Sequence, residues 1–179
     1  MSKVDTKAFI TEISFKLFLD KGYNQTSMAD LVRATKLSKG AFYHYFKNKE
    51  ELYQEVLNRY FIAYYKDVDW NAVKKMSVAE IKIMTEQFYK SFIPEILSLT
   101  PKGMSRYFIL FFEAYENYPI FKNEVRTFYE QLKTILVRQL EKEGIKNPIS
   151  EATKLISKYE GLIFLLAVFP EQNIHDLLK

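Results

Sequence analysis

Residues 26–52, TSMADLVRATKLSKGAFYHYFKNKEEL, decide the fold of this chain. A short apolar-periodic run follows Thr26, a polar turn follows that run, and a second short helix starts after Ser38. Hydroxyl side chains are favourable N-caps because they accept hydrogen bonds from the free N–H groups of the first turn. We therefore expect helices capped by Thr26 and Ser38. We expect a third helix after Asn48, with Glu51 at the capping-box position.

The second short helix, from Lys39 to Tyr45, has two different faces. Phe42, Tyr45 and Phe46 recur at i, i+3 and i+4, which predicts one buried side. The residues predicted to face outward are Lys39, Gly40, Tyr43 and His44. A glycine inside a helix costs about 1 kcal/mol relative to alanine, so here it indicates close approach to another surface. Basic and small residues beside helix N-termini suit a phosphodiester backbone, and a second helix in the major groove is how a helix-turn-helix docks.

This segment resembles the DNA-binding segment of the tetracycline-repressor (TetR) family of bacterial transcriptional regulators. The matching positions are Gly22-Tyr23, Thr26-Ser27, Ala29, Leu31, Ala34, Ser38-Lys39-Gly40, Tyr43-His44-Tyr45-Phe46 and Lys49-Glu50-Glu51-Leu52. The resemblance implies phosphate contacts by Thr26, Tyr43, His44 and Lys49, and it implies that Ser38 to Ala41 face the groove. The resulting DNA-binding candidates are Thr26, Ser27, Ser38, Lys39, Gly40, Ala41, Tyr43, His44 and Lys49.

Two positions depart from the family pattern. Lys36 stands where the turn usually has glycine, so a positive φ there is strained for a side chain. Ala41 replaces the common threonine, which removes a base hydrogen bond and leaves a contact with a thymine methyl group. The resemblance therefore predicts DNA binding but does not give the operator sequence.

Composition and charge agree with a small globular DNA-binding protein. Of 179 residues, 48% are hydrophobic and 27% charged. Residues 1–50 carry nine Lys/Arg and five acids, whereas residues 51–179 carry 17 of each, so the net charge of +4 belongs to the DNA-binding segment. The chain has no Cys and two His, and we expect no metal and no cofactor. The apolar runs are too short to span a membrane and no signal peptide is evident, so a cytoplasmic location is expected.

The predicted fold class is all-α, because Gly and Pro number only five each and apolar residues recur at helical spacing. An N-terminal three-helix helix-turn-helix DNA-binding domain, residues 1–48, begins with a helix from Lys3 to Lys21 and a left-handed C-cap at Gly22. A connector helix from Lys49 to Lys66 joins it to a C-terminal helical ligand-binding and dimerisation domain, so that this second domain comprises residues 49–179.

The C-terminal domain is predicted to contain four further long helices. They run from Ser77 towards Pro94, from Met104 to Asn117, from Pro119 to Gly144 and from Ser150 to Phe169. The second of these includes Tyr107 to Phe112 and is apolar on every side, which predicts a central helix.

Aromatic residues make up 16% of the chain, and many fall on helices expected to surround one another. A pocket for an apolar ligand is typically lined by aromatic side chains with a few polar groups. The pocket candidates are Phe61, Tyr65, Phe88, Phe92, Tyr107, Phe111, Tyr115 and Phe128. Tyrosine hydroxyls, Arg106 and Glu113 are the candidates for its polar groups. A closely packed aromatic core is the alternative explanation for the same residues.

The run LIFLLAVF after Gly161 is apolar all round, more than one face within a single chain can bury. The resemblance implies dimerisation through the last two helices. The interface candidates are Leu155, Tyr159, Leu162, Ile163 and Leu166. A place in the core of the single chain is the alternative for the same residues.

These features predict a ligand-responsive transcriptional regulator. The resemblance implies a repressor that binds a pseudo-palindromic operator in double-stranded DNA as a homodimer and is released by a small, mainly apolar effector. A constitutive DNA-binding protein that acts through partner proteins is the alternative. An enzyme is disfavoured, because the sequence has no Gly-rich phosphate loop and no nucleophile–base arrangement.

Overall fold

The computed structural model describes residues 3–178, with side chains from residue 5 onward. This part of the chain forms helices and contains no strand, which confirms the all-α fold class. The N-terminal helices are α1 (Lys3–Lys21), α2 (Met28–Thr35) and α3 (Lys39–Tyr45). The next helix, α4 (Lys49–Leu57), continues through a π-helical turn (Asn58–Ile62) into α5 (Ala63–Lys66). Residues 49–66 together are called the connector below.

The remaining helices build the C-terminal part of the described chain. They are α6 (Trp70–Val73), α7 (Val78–Leu99), α8 (Met104–Asn117), α9 (Pro119–Lys142), α10 (Pro148–Val168) and α11 (Ile174–Leu177). The segment between the connector and α7 contains the short helix α6, whose N-terminus is capped by Asp69. Helix α7 does not end near Pro94 as the sequence suggested but runs through it to Leu99. Within residues 3–178, no helix combines the length and the apolar character needed to cross a membrane.

Helices α1, α2 and α3 pack around a small aromatic and aliphatic core. Leu31 of α2 and Phe42 of α3 are fully buried, as predicted, and Phe46 lies beside them. On α1 the fully buried apolar side chains include Ile10, Phe15, Phe18 and Leu19. The three-helix head thus forms as expected.

The helix starts follow the expected capping chemistry with a shift at α2. Ser27, not Thr26, caps α2, and it forms a capping box with Asp30. Thr26 is 1% exposed, and its hydroxyl donates to the Gly22 carbonyl at 2.7 Å. The prediction of Thr26 as N-cap is therefore wrong, because its hydroxyl closes the preceding turn instead.

The caps of α3 and α4 are those predicted. Ser38 caps α3 and Asn48 caps α4, where the Asn48 side chain accepts from the Glu51 N–H at 2.8 Å. The Glu51 carboxylate does not complete the predicted box, since it accepts from the Lys47 N–H at 2.9 Å. Both interactions still satisfy free N–H groups at the start of α4.

The π-helical turn of the connector directs Tyr60, Phe61 and Ile62 all into the interior, although they are consecutive. The Phe61 ring is 0% exposed. It packs edge-on to Phe15 of α1 at 5.9 Å between centroids and stacks on Tyr107 of α8 at 4.7 Å. The connector is thus fixed at its middle by contacts from both parts of the chain.

Helix α8 is central but not buried on every side, which corrects the prediction. Tyr107, Leu110 and Ala114 are buried, whereas Ile109 is 51% and Phe112 is 58% exposed. Helices α9 and α10 pack against each other and against α8. The exposed apolar residues of α8 therefore mark a surface and not a second core face.

Candidate DNA interface and effector cavity

The exposed surface of α3 carries most of the predicted DNA contacts. The residues of this surface are Ser38, Lys39, Gly40, Ala41, Tyr43 and His44. Behind them, Phe42 is fully buried and anchors the helix. No atom outside the local backbone would lie within 4 Å of a Cβ added at Gly40, so the space in front of this glycine is open. The helix therefore offers a small, basic, accessible surface of the kind that fits a DNA groove.

The turn between α2 and α3 uses the strained conformation expected at Lys36. This residue has φ 56° and ψ 18°, and its N–H donates to the Arg33 carbonyl at 3.2 Å. A left-handed residue ends α2 sharply and lets α3 cross it. The positive φ predicted at Lys36 is therefore confirmed.

Lys49 has internal partners as well as a position near the DNA-facing surface. Its ammonium donates to the Tyr23 and Thr26 carbonyls, at 3.0 Å each, and lies 4.2 Å from the centroid of the Tyr23 ring. An ammonium has three donors, so one is left for a phosphate. Lys49 thus holds the α1–α2 turn against the start of the connector.

The α2 capping box is electrostatically favourable. Asp30 accepts from the Ser27 hydroxyl and the Ser27 N–H, and it contacts Arg33. These hydrogen bonds, chiefly those from Ser27, lower the pKa of Asp30 to about 2. The carboxylate therefore remains charged at the positive end of α2 at any pH where the protein functions.

A cavity of about 630 Å³ lies among the connector, α7, α8, α9 and α10. Its walls are mostly aromatic and aliphatic, and six of the eight predicted pocket residues line it. These six are Tyr65, Phe88, Phe92, Tyr107, Phe111 and Phe128. Phe61 and Tyr115 were predicted to line it but do not, because Phe61 belongs to the core between the two parts of the chain and Tyr115 stacks on Phe111 outside the lining.

The polar group of the cavity is Glu160 on α10. Its Oε1 accepts hydrogen bonds from the Tyr89 hydroxyl at 2.8 Å and from the Tyr129 hydroxyl at 2.7 Å. Burial raises the pKa of both phenols well above the ordinary value, and the Glu160 charge raises it further. Both hydroxyls therefore stay protonated and act as donors. Glu160 was not among the residues predicted for the cavity, although a carboxylate two residues before the apolar run that starts at Leu162 was a usable signal.

Arg106 and Glu113 do not line the cavity, so their prediction as its polar groups is wrong. The Arg106 guanidinium donates to the Leu19 carbonyl at 2.6 Å and to the Asp20 carbonyl at 3.2 Å. The Glu113 carboxylate accepts from the Asn24 amide at 2.7 Å. Both side chains of α8 thus hold the C-terminal end of α1 and the loop after it.

A second crevice of about 540 Å³ separates the DNA-binding part from α8 and α9. Across it, the Glu50 carboxylate accepts from the Tyr23 hydroxyl at 3.1 Å and from the Tyr118 hydroxyl at 2.9 Å. Lys102 forms an ion pair with Asp20 at 2.6 Å. These polar contacts join the two parts around the crevice, whereas Phe61 joins them through the core.

The predicted dimer contacts lie mostly inside the single chain. Tyr159, Ile163 and Leu166 are buried against α7, α8 and α9, which contradicts their assignment to a surface between two chains. Leu155 and Leu162 are half-buried. In the C-terminal half of α10 the exposed apolar residues are instead Phe164, Leu165, Val168 and the following Phe169. The sequence run was apolar all round, so it could not show which side faced outward.

The exposed basic α3, the left-handed turn before it and the helical body behind it form a helix-turn-helix of the kind that binds DNA. Residues 10–56 match the family model described as "Bacterial regulatory proteins, tetR family". This match confirms the resemblance seen in the sequence and identifies residues 10–56 as a TetR-type DNA-binding segment.

Three relatives illustrate how far the likeness extends. YuxN, an uncharacterised HTH-type transcriptional regulator of Bacillus subtilis, is 46% identical over 57 residues, which are 32% of this chain and 20% of YuxN. The transcriptional regulator QacR of Staphylococcus aureus is 31% identical over 86 residues, 48% of this chain and 43% of QacR. These matches span less than half the length of either relative. A transcriptional regulator from Aquifex aeolicus shares the fold, with a TM-score of 0.66 and 23% identity over 97% of this chain and 93% of that one.

Proposed function

We propose that this regulator is a homodimeric repressor, released from its operator by a small molecule that enters the aromatic cavity. The observation that carries the proposal is that α8 touches the cavity and the DNA-binding part with neighbouring residues. Tyr107 and Phe111 line the cavity, while Arg106 and Glu113 bind the loop and helix end of the DNA-binding part. A ligand that moves α8 therefore moves the attachment of the DNA head.

The connector provides a second link between the cavity and the DNA. Tyr64 and Tyr65, near the C-terminal end of the connector, line the cavity. Lys49, at the N-terminal end of the connector, lies beside the DNA-facing surface. Displacement of the inner end would tilt the connector and change the separation of the two heads in a dimer. Bending DNA to follow such a change costs roughly 1–6 kcal/mol, so a modest tilt is enough to weaken binding.

We place the dimer contact on the exposed apolar faces of α8 and α10. Ile109, Phe112 and Phe164 are more than half exposed, and Val168 is half exposed. Exposed apolar patches of this kind commonly mark interfaces between proteins. A two-fold dimer would read half-sites about one DNA turn apart, or a multiple of that distance.

We place the boundary between the DNA-binding and effector domains after residue 48. We also propose that the protein acts in the cytoplasm, where its DNA target lies.

The first test concerns DNA affinity. A dimer that makes about eight phosphate contacts is expected to show log K falling against log salt concentration with a slope near −7. Lys39→Ala removes an exposed cation from each α3 and is expected to reduce the magnitude of that slope by about 1 for each phosphate that the variant no longer neutralises. Fluorescence anisotropy with the DNA upstream of the protein's own gene, over a series of salt concentrations, measures the slope for the unmodified protein and for Lys39→Ala.

Lys90→Ala is the matched control, since Lys90 is an exposed cation on α7, away from the DNA-binding part. Its slope is expected to equal that of the unmodified protein. An affinity that does not depend on salt would contradict the assignment of α3 to DNA.

The second test concerns the coupling. Arg106→Met removes the two hydrogen bonds to the end of α1 but keeps an apolar stem. Ligands found by thermal-shift screening are expected to lower the operator affinity of the unmodified protein about 5- to 150-fold, a coupling of about 1–3 kcal/mol. In Arg106→Met the same ligands are expected to bind but to change operator affinity less than about threefold.

Arg126→Met is the control for this test, because Arg126 on α9 makes an exposed ion pair within its own helix. Ligand response is expected to be retained in this control. Ligands that stabilise the unmodified protein but never change its operator affinity would support the constitutive alternative.

A further inference from the structure

We infer that the ligand of the cavity is a lipophilic organic cation whose positive charge is held by Glu160. This inference rests on the proposed function and adds the class of the ligand to it. Two lining side chains carry a charge, Glu160 and Lys82. Lys82 is exposed at the rim, whereas Glu160 is partly buried. The charge that a ligand meets inside the cavity is therefore negative.

The hydrogen bonds show that Glu160 acts as an acceptor. Both the Tyr89 and the Tyr129 hydroxyl donate to Oε1, and neither distance exceeds 2.8 Å. A carboxylate oxygen has the lone pairs to accept both bonds, and the second oxygen of Glu160 remains available to a ligand. Among the ion pairs of residues 5–178, none joins a Lys or Arg to Glu160. The cavity thus contains a carboxylate without a cationic partner in the protein.

The walls near Glu160 are suited to a cation with an aromatic or alkyl body. Phe128 lies with its ring 4.9 Å from Tyr65 and 5.4 Å from Trp70, measured between centroids. Tyr89, which donates to Glu160, lies 6.1 Å from Tyr159, again between ring centroids. Ring faces attract a poorly hydrated cation, and this attraction is stronger where water is excluded. A carboxylate and several ring faces together favour a cation over a neutral ligand of the same shape.

The same arrangement disfavours anionic ligands. A fatty acid or another apolar carboxylate placed in the cavity would bring a second negative charge close to Glu160, and the cation of the lining, Lys82, is exposed to solvent. Like charges in a site of low dielectric repel strongly. The inference therefore orders three ligand classes by affinity: cation first, neutral second and anion last.

Three probes of one shape test this order. They are N-methylacridinium, acridine kept neutral at pH 8, and anthracene-9-carboxylate. Fluorescence titration of the full chain is expected to give N-methylacridinium an affinity at least about tenfold higher than that of acridine, with the carboxylate weakest. Glu160→Gln, which keeps an oxygen acceptor for the tyrosines, is expected to reduce the cation's advantage to about threefold or less without changing the affinity for acridine.

Glu86→Gln is the matched control. The Glu86 carboxylate also accepts a tyrosine hydroxyl, that of Tyr159 at 3.1 Å, but Glu86 does not line the cavity. It is expected to keep the full preference for the cation.

The comparison of probes on the unmodified protein does not depend on any variant folding. No binding of N-methylacridinium, or binding no tighter than that of acridine, overturns the inference. Operator release by acridine or the carboxylate would then still support the proposed function. Tight, Glu160-dependent binding of the cation without operator release would support the inference about the ligand and contradict the proposed function.

Discussion

Phe164→Glu is expected to yield a folded single chain that binds a two-half-site operator about 100- to 10,000-fold more weakly than the unmodified protein. Phe164 is 60% exposed, so a carboxylate at this position is tolerated within one chain. In the proposed dimer the same carboxylate would be buried in an apolar contact without a partner, which is strongly unfavourable. Loss of the dimer removes the second DNA head and with it the avidity of two linked half-sites.

Light scattering coupled to size exclusion gives the mass, and fluorescence anisotropy on one-half-site and two-half-site DNA gives the affinities. Because Phe164 also contributes to the cavity wall, Val168→Glu is a second variant on the same face that does not line the cavity. Ile83→Glu changes an exposed residue of α7 and is expected to remain dimeric. A soluble, dimeric Phe164→Glu protein would place the interface elsewhere.

Phe61→Ala is expected to lower the free energy of unfolding by about 3–5 kcal/mol, the usual cost of deleting a buried aromatic ring. Phe61 is fully buried and contacts Phe15 of α1, Tyr107 of α8 and Phe121 of α9. The cavity left by the ring would therefore open where the DNA-binding part meets the effector part. Urea denaturation at a fixed protein concentration measures the change, since the stability of a dimer depends on concentration.

Ile120→Ala is the control for this experiment, because Ile120 on α9 is 74% exposed. Its effect is expected to stay within about 0.5 kcal/mol. If Phe61→Ala does not fold at all, Phe61→Leu is expected to fold with a smaller loss of stability. A loss below about 1 kcal/mol for Phe61→Ala would mean that the ring belongs to a ligand site, as the sequence suggested, and not to the core.

The DNA-binding part could be predicted closely because its signals are local. Caps, the positive φ at Lys36 and the buried side of α3 depend on residues within one or two turns. The same local signals misplaced the cap of α2 by one residue, since Thr26 and Ser27 are both good caps. Only the distance between the Thr26 hydroxyl and the Gly22 carbonyl shows which of the two is used.

For the effector part, the sequence predicted the aromatic character of the cavity wall. It did not predict which face of each helix turns toward the cavity, the core or the solvent. Aromatic spacing identified most of the cavity wall, yet Phe61 and Tyr107, which stack on each other, could not be assigned to core or cavity from spacing alone. Arg106 and Glu113 bind partners more than 80 residues away in the chain. Contacts between residues so far apart in sequence depend on how the helices pack against one another. The periodicity of apolar residues within one helix does not predict that packing. The buried side of α10 was hidden for a related reason, because a helix that is apolar all round has no preferred face.

The π-helical turn in the connector has a consequence for building hybrid regulators. A turn closed by i→i+5 hydrogen bonds takes up one more residue than an α-helical turn, so everything after Ile62 is rotated relative to a regular helix that starts at Lys49. A foreign DNA-binding head grafted onto this effector part at a junction before Asn58 keeps that rotation. A graft that replaces Asn58–Ile62 with a regular α-helical turn would shift the register by one residue and turn Tyr64 and Tyr65 away from the cavity. A hybrid regulator should therefore keep the π-helical turn Asn58–Ile62 intact, together with the effector part that this turn orients.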